Sequence, residues 1–79
     1  MKAPTPPKQV RRELYENGYG ISVLEESDGE TFEFAVLTHQ RGLHPRLTYD
    51  TAVTCDVVRH CTPTSVESLA DRVRALPPR

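Results

Sequence analysis

The 79-residue chain predicts an α+β domain, an antiparallel β-meander of three to four strands with a C-terminal helix packed on one face. Three observations point there. Asp28-Gly29 lies between two alternating apolar runs, and an Asp-Gly pair is a strong signal for a two-residue hairpin loop. Asn17-Gly18 offers a second such loop just upstream. Val66, Leu69, Ala70, Val73 and Leu76 recur at helical spacing near the end of the chain.

Residues 1–9 hold Pro4, Pro6 and Pro7 with little else, and read as a flexible proline-rich arm ahead of one domain over 10–79. The next segment has two readings. As a strand folded back at Asn17-Gly18, it pairs Leu14 with Ile21 on the core face. Tyr15 then covers Gly20 on the other face. As a helix over Pro7–Glu16 it sets Val10 and Leu14 at i, i+4 and ends with Gly18. The strand is preferred.

The Asp28-Gly29 loop sets a register in which Tyr19 faces Thr38, Ile21 faces Val36 and Val23 faces Phe34. Alternation then gathers Tyr19, Ile21, Val23, Phe32, Phe34 and Val36 on one face. Slipping by one residue would set Val23 against Glu33 and scatter that face. After a loop over 39–45 containing Gly42 and Pro45, a further strand is expected over Arg46–Asp50, with Leu47 and Tyr49 inward. Thr54 is placed to cap a short helical turn through Asp56, Val57, Val58 and Arg59. Thr64-Ser65-Val66-Glu67 fits a capping box for the last helix, which Pro77 and Pro78 stop.

A domain this short buries only about 60% of its unfolded surface, so a partner, a metal or self-association would add useful burial. Met1 to Arg12 contains no apolar core of a signal peptide, and no apolar run approaches the roughly 20 residues of a membrane helix. Cys55 and Cys61 are too few for a disulfide scaffold, and on one short helix they would fall on different faces. The expectation is a cytoplasmic protein with no membrane partner. Ten Lys and Arg against eleven Asp and Glu give a net charge of −1, which disfavours a general nucleic-acid binder.

The charge is nevertheless polarised. Glu25, Glu26, Asp28, Glu30 and Glu33 form an acidic stretch, and Arg41, His44 and Arg46 (with His39) form a basic one. The first reads as a solvated hairpin tip or a contact for a basic partner, the second as an exposed turn or a docking loop. They should lie at opposite ends of one strand, about 25 Å apart. The other sheet face, with Gly20, Ser22, Leu24, Ala35 and Leu37, is half apolar and suits a dimer or partner contact.

Zinc would draw on Cys55, Cys61, His39, His44 and His60, but neither Cys-x5-Cys nor His-x4-His matches a familiar zinc spacing. The bland alternative is that both cysteines are small buried apolar residues. Cys55, Asp56 and His60 supply nucleophilic residue types without a catalytic arrangement, and Gly18-Tyr19-Gly20 lacks the strand-to-helix context of a phosphate loop. No catalytic residue, metal ligand or cofactor is assigned.

Tyr15-Glu16-Asn17-Gly18-Tyr19-Gly20, Ala35-Val36-Leu37 and Tyr49-Asp50-Thr51 together resemble small uncharacterised accessory proteins of tailed phages with actinobacterial, high-GC hosts. Those typically continue from Tyr-Asp-Thr into Pro-Val-Thr-Asp-Asp-Val and finish with a short helix. Here Ala52 stands for the proline and Cys55 for the first aspartate, while Val53, Thr54, Asp56 and Val57 fit. The similarity covers 13–76. It implies a phage accessory role and brings over no activity and no functional residue.

The expectation is therefore a non-enzymatic protein-interaction module, a phage-encoded modulator or inhibitor of a host protein. The alternatives are a self-assembling dimer and a zinc-stabilised nucleic-acid accessory protein. Candidate contact residues are Glu25, Glu26, Asp28, Glu30, Arg41, His44 and Arg46.

Overall fold

A computed structural model describes residues 8–40, 44–48, 51, 53 and 57–78. Its elements run β1 (Lys8–Leu14), β2 (Tyr19–Glu25), β3 (Phe32–Thr38), β4 (Arg46–Thr48), β5 (Val58–Cys61) and α1 (Pro63–Arg74). The strands form one antiparallel sheet in the order β1-β2-β3-β4, with β5 also on β3. Helix α1 packs on β2, β3 and β5, so the fold is α+β. No helix among the described residues is long and apolar enough to cross a membrane.

The β2–β3 register is the expected one: Tyr19 opposes Thr38, Ile21 opposes Val36 and Val23 opposes Phe34. The loop differs in kind. Glu26 and Thr31 close it, the Gly29 N–H donates to the Glu26 carbonyl at 3.0 Å, and Gly29 is left-handed at φ 71°. Asp28 is not left-handed, so the two-residue type I′ turn is absent. The four-residue loop over 27–30 has the same midpoint, which is why the register survives. Asp28 Oδ1 instead accepts from the N–H groups of Glu30 and Thr31, both at 2.9 Å.

The first hairpin corrects the expectation. Strand β1 forms and starts at Lys8, inside the stretch read as an arm. The Gly18 N–H donates to the Tyr15 carbonyl at 3.2 Å, and the Tyr15 N–H to the Tyr19 carbonyl at 2.7 Å. Gly18 is left-handed at φ 87°. This three-residue loop over 16–18, a turn followed by a left-handed glycine, is one residue longer than a type I′ loop. One residue reverses every side chain: Glu13 opposes Ile21, and Leu14 rather than Tyr15 covers Gly20. Leu14 is accordingly 47% exposed, away from the core.

Strands β4 and β5 share the second edge of β3. Thr48 opposes Val36, and farther along Val58 opposes Phe34 and Cys61 opposes Phe32. Leu47 opposes Leu37 on the helix-free face at 48% exposure, so it does not point inward as expected. Tyr49 and Asp50 lie outside the described residues. So do Thr54 and Asp56, but Val58 and Arg59 are strand, not helix. The unpaired half of the β3 edge and the β-branched Val58 favour the strand. β5 carries a bulge between its pairings with Phe34 and Phe32, and within it His60 is left-handed at φ 60°.

Helix α1 starts earlier than the Thr64 capping box proposes. Thr62 is the N-cap, its Oγ1 accepting from the Ser65 N–H at 3.1 Å, with Pro63 in the first helical position. Proline there loses no useful hydrogen bond and arrives with helical φ. The stripe behaves as expected: Val66, Ala70 and Val73 are buried, and Leu69 and Leu76 pack at the margin. They complete a core with Ile21, Val23, Phe34, Val36 and Cys61. Phe34, Ile21, Val36 and Val73 are the largest fully buried side chains, each worth about 1.5–3 kcal/mol relative to exposure.

Candidate interaction surface

Residue by residue, the acidic hairpin is less free than its charge suggests. Asp28 is occupied as the loop's cap, and the N–H groups of Thr31 and Glu30 hold its carboxyl below the ordinary range. Glu26 turns onto β5: its Oε1 accepts from the His60 N–H at 2.6 Å, and Oε2 lies 3.0 Å from His60 Nδ1. This carboxylate supports the left-handed His60, a conformation that costs a non-glycine residue about 1–2 kcal/mol. Glu33 faces Arg59 at 3.9 Å. Glu25, half-buried, and Glu30, exposed, are left without a charged partner among the described residues.

His44 and Arg46 are exposed beside the opposite end of β3, Arg46 opposing Thr38. Arg41 lies outside the described residues. The two charged ends are therefore not brought together.

On the helix side of β1, the one-residue change of register builds an ionic border. Arg11 Nε donates to Glu13 Oε2 at 2.7 Å, and Arg11 Nη1 pairs with Glu67 on α1. Tyr15 donates its hydroxyl to Glu13 Oε1 at 2.9 Å, and the Arg74 guanidinium sits 5.3 Å from the Tyr15 ring centre. Arg11, then the Tyr15 hydroxyl, hold the Glu13 carboxyl below its usual range. Burial, then the bond to Glu13, push the Tyr15 phenol up to about 12. Asn17 finishes the border: its Nδ2 donates to the carbonyls of Val73, Leu76 and Arg74 at 2.9, 3.1 and 3.3 Å. The first hairpin thereby caps the orphan carbonyls at the end of α1.

Above this border the surface opens. Among the described residues β1 pairs only with β2, so its outer edge has no strand partner. A bulge at Val10, between the Gln9 and Arg11 pairings, brings Val10 towards α1 at 43% exposure. Val10, Val23, Phe32, Pro63 and Val66 line an apolar cleft of about 240 Å³ between β1 and the first turn of α1. The Arg11–Glu67 ion pair lies along its wall. Sequence reasoning missed this cleft. The β-bulge and the true N-cap that form it depend on the register of β1 and on Pro63.

The helix-free face carries a row formed by Leu14, Gly20, Leu37 and Leu47. Leu14 and Leu47 are half-exposed, whereas Leu37 and Ala35 are 5% and 9% exposed. This face offers less free apolar area than its sequence suggests.

The metal-ligand types are scattered. Cys61 ends β5, buried, with its Sγ 3.6 Å from the Val58 carbonyl, and burial, then Glu26, push its thiol up. His39 Nε2 lies 2.7 Å from the Tyr15 carbonyl, His60 sits on Glu26, and Cys55 lies outside the described residues. Among the described residues, no three His, Cys, Asp or Glu side chains gather as a metal site. Compared with protein families, curated proteins and solved structures, the chain matches none.

Proposed function

We propose that this chain is a non-enzymatic protein-interaction module that serves a phage as a modulator of a host protein. The observation that carries the interaction reading is the free edge of β1, which presents the exposed apolar Val10 beside an open cleft and the exposed Leu14 on the helix-free face. An unpaired strand edge is a template for another chain, and exposed apolar side chains add burial on contact. Glu25 and Glu30 at one end of the hairpin, and His44 and Arg46 at the other, supply the polarity that steers a partner into orientation. The phage setting rests on the sequence resemblance.

The test is affinity capture from an actinobacterial lysate, with and without nuclease, read by mass spectrometry. A stoichiometric host protein that survives nuclease is expected. Loss of every partner on nuclease treatment would transfer the function to nucleic acid, and an empty eluate would sink the host-modulator reading in that host. A second reading is self-assembly through the helix-free face, favoured by the half-exposed Leu14 and Leu47. A mass that stays monomeric over a wide concentration range in light scattering would remove it.

A further inference from the structure

We infer that the cleft between the free edge of β1 and the first turn of α1 takes an extended acidic peptide segment as an added strand. This rests on the interaction-module reading and names the chemistry of the partner. The backbone supplies the first part of the argument. A strand added to the outer edge of β1 hydrogen-bonds main chain to main chain and sends every second side chain to the helix side of the sheet. There it meets Val10, Val23, Phe32 and Val66, the walls of the 240 Å³ cleft. Alternate apolar residues in the segment match that geometry.

Charge selects the rest of the segment. β1 carries Lys8, Arg11 and Arg12 against one acid, Glu13, whose carboxylate is held by Arg11 and Tyr15. Lys8 and Arg12 are exposed and make no ion pair among the described residues, Lys8 standing opposite Glu25 in the sheet. Pro63 brings the N-terminal end of α1 to the cleft, and the first turn of that helix has no acidic side chain to offset its positive end. Arg11 at the cleft is already bridged to Glu13 and Glu67, whereas Arg12, on the other face of β1, meets the side chains that alternate with those entering the cleft and favours carboxylates there. The same residues oppose a second copy of β1, because antiparallel pairing about the middle of the strand sets Arg11 and Arg12 of the two copies together.

The probe is a blocked heptapeptide of alternating valine and glutamate, titrated into the full chain at low salt and followed by amide NMR shifts. Its counterpart carries lysine in place of glutamate. Saturable binding of the glutamate peptide is expected, with the largest shifts in Lys8–Leu14 and the first turn of α1. The lysine peptide should bind at least about tenfold more weakly, from like-charge repulsion. Val10→Glu puts a charge into the cleft from an exposed position, and should keep a folded spectrum while weakening the glutamate peptide by roughly tenfold or more. Arg12→Glu, on the opposite face of β1, should reduce the salt dependence.

No saturation by about 1 mM, equal binding of both peptides, or shifts centred on Leu37 and Leu47 would overturn the inference. A lysate partner that leaves the hydrogen exchange of the β1 amides unchanged would also overturn it while preserving the interaction-module reading. Peptide binding mapped to β1, together with an empty lysate capture, would support it and count against the host-modulator reading alone.

Discussion

Replacing Gly20 by alanine tests the register of the first hairpin at its tightest point. A Cβ built there would lie 2.3 Å from the Glu13 carbonyl oxygen, 2.9 Å from Leu14 Cδ2 and 3.2 Å from Leu14 Cα. Ordinary contacts begin near 3.5 Å, so β1 would have to move out by roughly 1 Å. Overpacking of this kind costs about 1–3 kcal/mol. Alanine returns about 0.4–1 kcal/mol by restricting the unfolded chain. The net loss is then about 1–2 kcal/mol, or roughly 5–15 °C in Tm for a domain of this size. Urea unfolding followed by circular dichroism, with calorimetry for Tm, measures both. Pairing Gly20→Ala with Leu14→Ala sharpens the test. The second change removes the Cδ2 contact but not the carbonyl oxygen, so stability should not recover. A Gly20→Ala variant as stable as its parent, or recovery in the double variant, would refute the backbone clash and the register behind it.

The helix start can be resolved by two alanines. Thr62→Ala should cost about 1 kcal/mol in denaturant unfolding and Thr64→Ala close to nothing, whereas a Thr64 cap requires the reverse. Asn17→Ala strips the side-chain donor from the carbonyls of Val73, Leu76 and Arg74 and should cost about 1–2 kcal/mol. Its amide exchange should rise first in the last turn of α1. For Tyr15, the folded pKa of about 12 exceeds the unfolded value near 10. Its contribution to stability is therefore complete below about pH 10 and is lost as pH rises towards about 12. Ultraviolet titration should show a late phenolate, and Tyr15→Phe should flatten that alkaline loss of stability. Phe34→Ala empties the largest fully buried side chain and should cost about 3–5 kcal/mol, enough to leave much of a small domain unfolded by circular dichroism.

Local chemistry makes the central hairpin, the α+β class and the face of α1 legible in the chain itself. Alternation over β2 and β3 buries one set of residues in one register, and any loop centred on Asp28-Gly29 preserves it. The stripe from Val66 to Leu76 likewise has one apolar side to hide. The candidate charges are legible as composition, but their availability is not. Asp28 is taken up by its own loop, while Glu26 is drawn to the His60 backbone and Glu33 towards Arg59, two partners that only the fold assembles.

A single strong periodicity or a single turn centre was enough, then, to specify the central strands and the buried side of the helix. Long-range packing settled the remainder, where two local solutions were close in energy. Asn17-Gly18 suits a two-residue or a three-residue loop, and the choice fell where Asn17 could cap α1 and Glu13 could meet Arg11, Tyr15 and Arg74. Val58 to Cys61 could have coiled, but the unpaired half of β3 drew it into the sheet. The cleft beside β1 exists because those two choices were made together. Its walls come from distant parts of the chain, and burial and hydrogen bonding between them are what selected the register.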